Sequence, residues 1–221
     1  MIAQIVGLWE KYSYVYLAGL WGTICLSLLT VLCSTIIGTF IAVLKLTKIK
    51  VFNIIISIYV SIIRGTPILL QLYFFWLFLP KVMPFELSDT SCIVVALIIN
   101  ASSYVAEVIR AGIQAVDYGQ TEAALSLGLG YKNTMIKIIL PQAAKNILPA
   151  LGNEFIMMVK QTSLASTFFV TELMTSYRTV QSATFLAIPS LVIVGIIYFV
   201  VTWVLSKLLA YVERRLKSNE R

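Results

Sequence analysis

The feature that most constrains this chain is an uncharged, apolar run that extends from Val15 to Leu44. A helix needs roughly 20 predominantly apolar residues to cross the hydrocarbon core of a bilayer, and this run exceeds that length. It is also too long for the apolar region of a signal peptide, so we expect it to remain in the mature protein. The run therefore predicts a membrane-spanning helix.

The composition agrees with a membrane protein. Hydrophobic residues make up 59% of the 221 residues and charged residues only 12%, whereas a soluble chain carries about 25% charged residues. Lys and Arg outnumber Asp and Glu by 17 to 10. These basic residues stand at the ends of apolar runs and form no stripe with aromatic residues, which argues against nucleic-acid binding and is typical of the positive-inside bias of membrane proteins.

Four further segments complete a predicted all-α membrane fold with five transmembrane helices. They are Val51–Leu79, Thr90–Ile113, Ile147 to about Thr167, and Val180–Tyr211. The third of these four is the weakest by hydropathy because it contains Glu154 and Lys160. We expect residues 1–221 to form a single transmembrane domain.

The distribution of basic residues predicts the orientation. With five spans, three basic segments fall on one side of the membrane: Lys45, Lys48 and Lys50; Lys132, Lys137 and Lys145; and Arg214, Arg215, Lys217 and Arg221. The opposite side is nearly balanced in charge. The positive-inside rule then places the N-terminus outside and the C-terminus in the cytoplasm, in a cytoplasmic membrane. Four or six spans would scatter the basic loops over both sides.

Residues 114–145 form one long polar segment on the predicted cytoplasmic side. Within it, Gln120–Leu127 is predicted to be a short helix, since it is rich in Ala and Leu. Glu122 lies in the first turn, where the helix dipole favours an acidic residue. Gly128 and Gly130 follow and are predicted to end the helix.

A second helical stretch, Tyr131–Leu140, is expected to end before Pro141, because proline lacks the N–H that a continuing helix needs. The short helix before it suits either docking into a groove of another protein or lying on the bilayer surface. Spacing alone leaves both alternatives open.

The same segment resembles the EAA loop of ATP-binding-cassette importer permeases. The pattern consists of Glu122-Ala123-Ala124, three residues, Gly128, nine residues, Ile138, one residue and Leu140-Pro141. Other segments resemble the polar-amino-acid branch of that family (histidine/glutamine/arginine-type): Arg64-Gly65-Thr66-Pro67, Tyr104–Gly112 and Gly152–Phe155. The resemblance covers nearly the whole chain.

This resemblance implies a permease subunit that moves a polar amino acid and has no enzymatic activity of its own. The coupling helix, with Glu122, Ala123, Ala124 and Gly128, would seat in a cleft of a separate ATPase subunit that holds ATP and Mg. A second permease subunit would pair with this one, as a homodimer or a heterodimer. An extracytoplasmic solute-binding protein would deliver the substrate, and this chain would hold no cofactor.

A helix break is predicted inside the second span. Arg64 lies about 20 Å beyond the cytoplasmic start of that span, and Gly65 and Pro67 follow it. Proline removes a helix hydrogen bond, and broken backbone at membrane depth is tolerated only where it lines a cavity or finds partners. Charged groups at this depth are costly, so Arg64 is a candidate functional residue.

The third and fourth spans bring further polar residues to the same depth, which is typical of a transporter binding site. The candidate substrate-binding residues are Thr66, Asn100, Ser103 and Glu154, and the possible substrate or gate residues are Arg64 and Lys160. Glu154 suits the ammonium group of an amino acid. Thr66, Ser103, Arg64 or the backbone freed near Gly65 suits the carboxylate. Internal ion pairing and hydrogen bonds between helices are the alternative.

Other site chemistries have little support in the sequence. Histidine is absent, and Cys25, Cys33 and Cys92 lack the spacing of a metal site or a disulfide framework. We predict no catalytic and no metal-binding residues. Glu107 and Arg110 are predicted to form an ordinary ion pair. A permease for another small polar solute, an intramembrane channel and an intramembrane enzyme are the alternative functions.

The predicted orientation can be tested with single cysteines in a cysteine-free background. A cysteine at Ser88 should react with a membrane-impermeant thiol reagent in intact cells, because the loop between the second and third spans is predicted to lie outside. A cysteine at Asn133 should react only after the cells are permeabilised. Labelling at Asn133 in intact cells would reverse the orientation.

Overall fold

The computed structural model describes residues 1–47 and 49–218, with side chains as far as residue 216. Among the basic residues that support the orientation, Lys48, Arg221 and the side chain of Lys217 lie outside this part. The described residues form helices and no strand. The α-helices are α1 (Ile2–Leu46), α2 (Lys50–Gly65), α3 (Ile68–Val82), α4 (Asp89–Gln114), α5 (Tyr118–Ser126), α6 (Tyr131–Thr134), α7 (Leu140–Gln161), α8 (Leu173–Thr184) and α9 (Ala187–Ser218). A π-helical turn at Met135–Ile139 joins α6 to α7, and a 3₁₀ helix at Thr162–Phe168 follows α7.

The first helix is longer than the predicted span. It has 45 residues, so it is about 67 Å long at 1.5 Å per residue. The hydrocarbon core of a bilayer is only about 30 Å thick. The helix begins at Ile2 and not at Val15 because Glu10 and Lys11, which end the uncharged run, are good helix formers.

Three helices of the described part are long and apolar enough to cross a membrane: α1, α4 and α9. The pair α2 and α3 passes the same test when taken together, which gives up to four crossings. The predicted fourth span corresponds to α7 and the 3₁₀ helix. It is too polar to count by hydropathy, because it carries Glu154 and Lys160.

The predicted break in the second span is confirmed, but the span is not straight. Helix α2 ends at Gly65, α3 begins at Ile68, and the two axes differ in direction by 110°. Thr66 is extended, with φ −119° and ψ 147°, as expected for a residue before proline. Pro67 then starts α3 with its fixed φ.

The predicted fifth span, Val180–Tyr211, was wrong at its beginning. Val180 belongs to α8, a separate amphipathic helix, and α9 begins at Ala187. Phe185 ends α8 with a left-handed backbone, φ 59°. Hydropathy does not reveal this turn, because the residues on both sides of it are largely apolar or neutral.

The predicted short helix at Gln120–Leu127 is present, with shifted bounds. Helix α5 begins after Asp117, whose side chain accepts a hydrogen bond from the Gly119 N–H at 2.7 Å. It ends before Gly128, which has φ +82° and therefore needs glycine. Gly130 does not end α5; it caps the start of α6.

The expectation that the next helical stretch ends before Pro141 was wrong. The chain stays helical through the π turn and Pro141 into α7. Pro141 lies in the first turn of α7, where its missing N–H costs little. The N–H of Leu140 donates to the carbonyl of Met135, five residues back, so the wider turn accommodates the proline.

Helix α4 lies at the centre and packs against α1, α2, α3 and α7. Small residues allow close contacts, as is usual between membrane helices. Gly38 of α1 lies against Val105, and Gly112 lies against Ile147 of α7. One apolar core therefore connects the helices that carry the candidate site.

Near its middle, α1 contacts the start of α8 so closely that only glycine fits. A Cβ atom on Gly22 would overlap the carbonyl oxygen of Thr171. A Cβ atom on Gly19 would lie 2.9 Å from the carbonyl oxygen of Glu172. Both clashes are with backbone, which cannot move aside as a flexible side chain can.

We expect Gly22→Ala to destabilise the protein, although alanine favours a helix. Overpacking costs about 1–3 kcal/mol, which corresponds to a fall in Tm of roughly 2–10 °C. Gly195→Ala in α9 is the matched control, since a Cβ there meets nothing within 4 Å. Thermal unfolding of the two purified variants measures the difference. Equal Tm values would mean that the contact between α1 and α8 is loose.

Candidate functional site

The break between α2 and α3 is filled by Gln71, a buried residue of α3. Its side-chain nitrogen donates to the carbonyl of Ile63 at 2.7 Å and to the hydroxyl of Thr66 at 2.7 Å, and lies 3.1 Å from the Thr66 carbonyl. Its side-chain oxygen accepts from the amide of Asn100 at 2.8 Å. The bent connection is thereby attached to α4.

Two predicted substrate-binding residues, Asn100 and Ser103, lie behind this amide. Asn100 is 3% exposed and Ser103 is fully buried. The Ser103 hydroxyl donates to the Asn100 carbonyl at 2.8 Å. The structure thus brings Thr66, Asn100 and Ser103 together, with Gln71 between Thr66 and the other two.

Arg64 lies at the end of α2 and is 43% exposed. Its guanidinium carbon lies 5.1 Å from the centre of the Tyr104 ring, a cation–π contact with α4. One of its nitrogens lies 3.9 Å from a carboxylate oxygen of Glu107.

The remaining predicted residues lie along α7. Glu154 is half-buried, and Lys160 is exposed two turns further on. Asn153, beside Glu154, is exposed as well. Asn153 and Lys160 are therefore polar side chains on the exposed surface of this single chain.

An ion cluster lies at the inner ends of the helices. The predicted pair of Glu107 and Arg110 is confirmed, with a nitrogen–oxygen distance of 2.7 Å. Lys45 of α1 reaches the other carboxylate oxygen of Glu107 at 2.5 Å, a contact that the sequence did not indicate. Arg110 also donates to Gln114. Glu107 therefore joins α1 and α4 and is close to α2.

The predicted coupling residues do not all face outward. Glu122, Ala123 and Gly128 are exposed, whereas Ala124 is buried on the inner face of α5. A cavity of about 520 Å³ separates α5 from the ends of α1 and α4; Tyr118 and Tyr131 are among the lining residues. Helix α5 is therefore held away from the ends of the long helices.

Sequence reasoning missed two polar residues that organise the fold. Gln71 had a signal, since it is a polar residue in an apolar helix, one turn after a proline break. Glu172 was counted only as a charge of an outer loop, yet it is fully buried. Its carboxylate accepts from the backbone N–H groups of Met174 and Thr175 at 2.7 and 2.6 Å, and from the Tyr198 hydroxyl at 3.1 Å. It caps α8 and connects it to α9.

The part of the chain that the structure describes contains no cluster of three His, Cys, Asp or Glu residues that could hold a metal ion. The groups available at the candidate site are a carboxylate, a guanidinium, amides and hydroxyls. Such groups bind charged and polar parts of a small molecule through hydrogen bonds and ion pairs.

Comparison with known proteins places these features in context. A family model described as "Binding-protein-dependent transport system inner membrane component" matches residues 34–218. The arginine transport system permease protein ArtQ of Bacillus subtilis (strain 168) is 37% identical over 204 residues, covering 92% of this chain and 93% of the relative. The probable glutamine ABC transporter permease protein GlnM of the same organism is 36% identical, covering 96% and 97%.

Solved structures agree with the family match. An amino acid ABC transporter crystallised with histidines is 43% identical, with a TM-score of 0.89 over 93% of this chain and 96% of that chain. An inward-facing MetNI methionine ABC transporter has a TM-score of 0.80 at 15% identity, over 94% of this chain and 98% of that chain. The second likeness concerns the fold alone.

Proposed function

Because the chain belongs to the family of binding-protein-dependent transport system inner membrane components, we propose that it is the permease subunit of an ATP-driven importer for a polar amino acid. The family match and the amino-acid transport permeases among its relatives support this proposal. The chain is a transport component and not an enzyme. The observation that carries the amino-acid assignment is that one chain presents a half-buried carboxylate, Glu154 of α7, and a guanidinium, Arg64, beside a broken helix.

The proposed topology has five crossings in a single domain over residues 1–221. They are α1, the bent pair of α2 and α3, α4, α7 with its 3₁₀ helix, and α9. This arrangement puts three basic groups on one side: Lys45 and Lys50; Lys132, Lys137 and Lys145; and Arg214 and Arg215. By the positive-inside rule that side is the cytoplasm, with the N-terminus outside. The coupling segment at about 114–145 is then cytoplasmic.

The proposed partners follow from the surfaces of the chain. Helix α5 presents Glu122, Ala123 and Gly128 to an ATPase subunit, which holds ATP and Mg, while Ala124 supports α5 from behind. A solute-binding protein delivers the substrate at the outer side. A second permease subunit, a copy or a sister chain, covers the exposed Arg64 and Lys160, because charges facing lipid are costly.

We propose that the substrate's ammonium group binds Glu154. The carboxylate of the substrate then binds Arg64 or groups near the helix break, such as Thr66. Asn100 and Ser103 stay predicted substrate contacts; both are buried in this conformation, so contact requires the Gln71 amide to move. Lys160 remains a candidate gate residue at the outer end of α7.

The docking of α5 predicts the effect of Gly128→Asp. Uptake should be abolished, because a charged side chain appears at a tight contact with the ATPase. The matched control is Gly128→Asn, since Asn and Asp both tolerate a left-handed backbone and differ mainly in charge. We expect the Asn variant to retain more uptake than the Asp variant, with both at normal abundance in the membrane. Normal uptake by Gly128→Asp would exclude docking at this turn.

The proposed ammonium site predicts the effect of Glu154→Gln. A charge-assisted hydrogen bond contributes about 1.5–3 kcal/mol, so affinity at the membrane site should fall roughly tenfold to a hundredfold. Uptake should collapse while the loaded binding protein still stimulates the ATPase.

Membrane abundance of the same variant separates binding from structure. If Glu154 serves mainly as the partner of Arg64 or Lys160, its loss leaves that cation without its partner at membrane depth, and the protein should become scarce. Normal abundance together with normal uptake would contradict both roles.

A further inference from the structure

We propose that Gln71 is a positioning residue for transport: its side-chain amide fixes the bend between α2 and α3 and thereby holds Arg64 at the substrate site. This inference rests on the proposed function, because it concerns the geometry of the proposed site. It assigns a role to a residue that is not among the proposed substrate contacts.

The first step of the argument is the hydrogen bond that proline removes. In an α-helix the carbonyl of Ile63 accepts from the N–H four residues on, which would be residue 67. That residue is Pro67, which has no N–H. The Gln71 side chain donates to this carbonyl at 2.7 Å instead. Gln71 therefore replaces the donor that the proline took away, at a depth where water does not supply one.

The second step is that one amide holds both ends of the connection. The same nitrogen lies 2.7 Å from the Thr66 hydroxyl, which in turn donates to the carbonyl of Ile62 at 2.8 Å. Arg64 and Gly65 are the residues between Ile63 and Thr66. With both flanks attached to Gln71, the backbone at Arg64 has a defined position.

The third step is the attachment to α4. The orientation of the Gln71 amide is determined by its surroundings, since carbonyl oxygens accept only from its nitrogen. Its oxygen then faces Asn100, which donates at 2.8 Å. Gln71 is 6% exposed and Asn100 is 3% exposed, so the bond is shielded from solvent. The same helix α4 carries Tyr104, on which the Arg64 guanidinium rests.

The consequence is a single unit made of Asn100, Gln71 and the α2–α3 connection. When the unit is intact, Arg64 lies over Tyr104 of α4. When the Gln71 donor is lost, the Ile63 carbonyl has no partner and the connection can relax. Arg64 would then leave the position that the substrate requires, although the apolar core around α3 would stay packed.

The test compares Gln71→Met, Asn100→Leu and the double variant in the complete transporter, reconstituted in proteoliposomes with its ATPase and binding protein. Methionine and leucine fill nearly the same volumes as the residues they replace but do not donate hydrogen bonds. Amino-acid uptake and ATP hydrolysis are both measured and normalised to the amount of transporter, and their ratio gives the uptake per ATP. We expect about a tenfold or larger loss for Gln71→Met.

The double variant distinguishes one unit from two separate effects. If Asn100 acts through Gln71, the double variant should transport about as well as Gln71→Met alone, because coupled residues are not additive. Multiplied losses would mean that Asn100 acts separately, for example by contacting substrate, and would overturn its place in this unit. Ser102→Ala is the matched control on α4; its buried hydroxyl donates only to the Ile98 carbonyl, so uptake per ATP should stay normal.

The remaining outcomes distinguish a failure of the Gln71 inference from a failure of the proposed function. If Gln71→Met is scarce but its normalised uptake equals that of the wild type, Gln71 has a structural role only and the inference fails. The inference also fails if the variant is abundant and transports normally. A wild-type complex without ATP-dependent amino-acid uptake would instead overturn the proposed function, whatever the variants do.

Discussion

A bilayer interior supplies no water to a broken helix, and this chain breaks a helix there. Pro67 leaves the Ile63 carbonyl without its helical N–H donor. The side chain of Gln71, from the next helix, donates to this carbonyl instead, and Asn100 orients the Gln71 amide. The sharp turn between α2 and α3 and the placement of Arg64 on the Tyr104 ring lie directly beside this replacement of one donor by another. The polar interior is thus organised around a missing backbone N–H.

The long helix α1 is held at two places by different interactions. Near its middle, glycines let its backbone contact the segment that leads into α8, whose first turn is capped by the buried Glu172. At its C-terminal end, Lys45 binds the carboxylate of Glu107 on α4. The bent pair α2–α3 is attached to α4 by the Gln71–Asn100 hydrogen bond and by the apolar core around α3.

The sequence was informative where a residue acts through its own backbone chemistry or through near neighbours. Pro67 predicted the helix break, Gly128 predicted the end of the coupling helix, and the spacing of Glu107 and Arg110 predicted an ion pair. It was uninformative where the partner is remote in sequence. Nothing near Glu172 indicates that Tyr198 will bury its carboxylate, and nothing near Lys45 indicates Glu107. Pro141 was misleading because the π turn before it, which has no sequence signature here, lets the helix continue through the proline. For the site, the sequence identified Thr66, Asn100 and Ser103 as a group, but not the glutamine that separates them.

The π turn between α6 and α7 has a consequence for helical phase. Successive residues of an α-helix advance by about 100° around the axis, so one extra residue in a turn rotates everything after it by about that angle. Met135–Ile139 therefore determines which way the Glu154 carboxylate points relative to α5. An insertion or deletion of one residue within this turn would turn the Glu154 side chain to another side of α7, although the identity of every candidate site residue would stay the same. In this chain, the number of residues between two features contributes to the candidate site as much as the residues themselves.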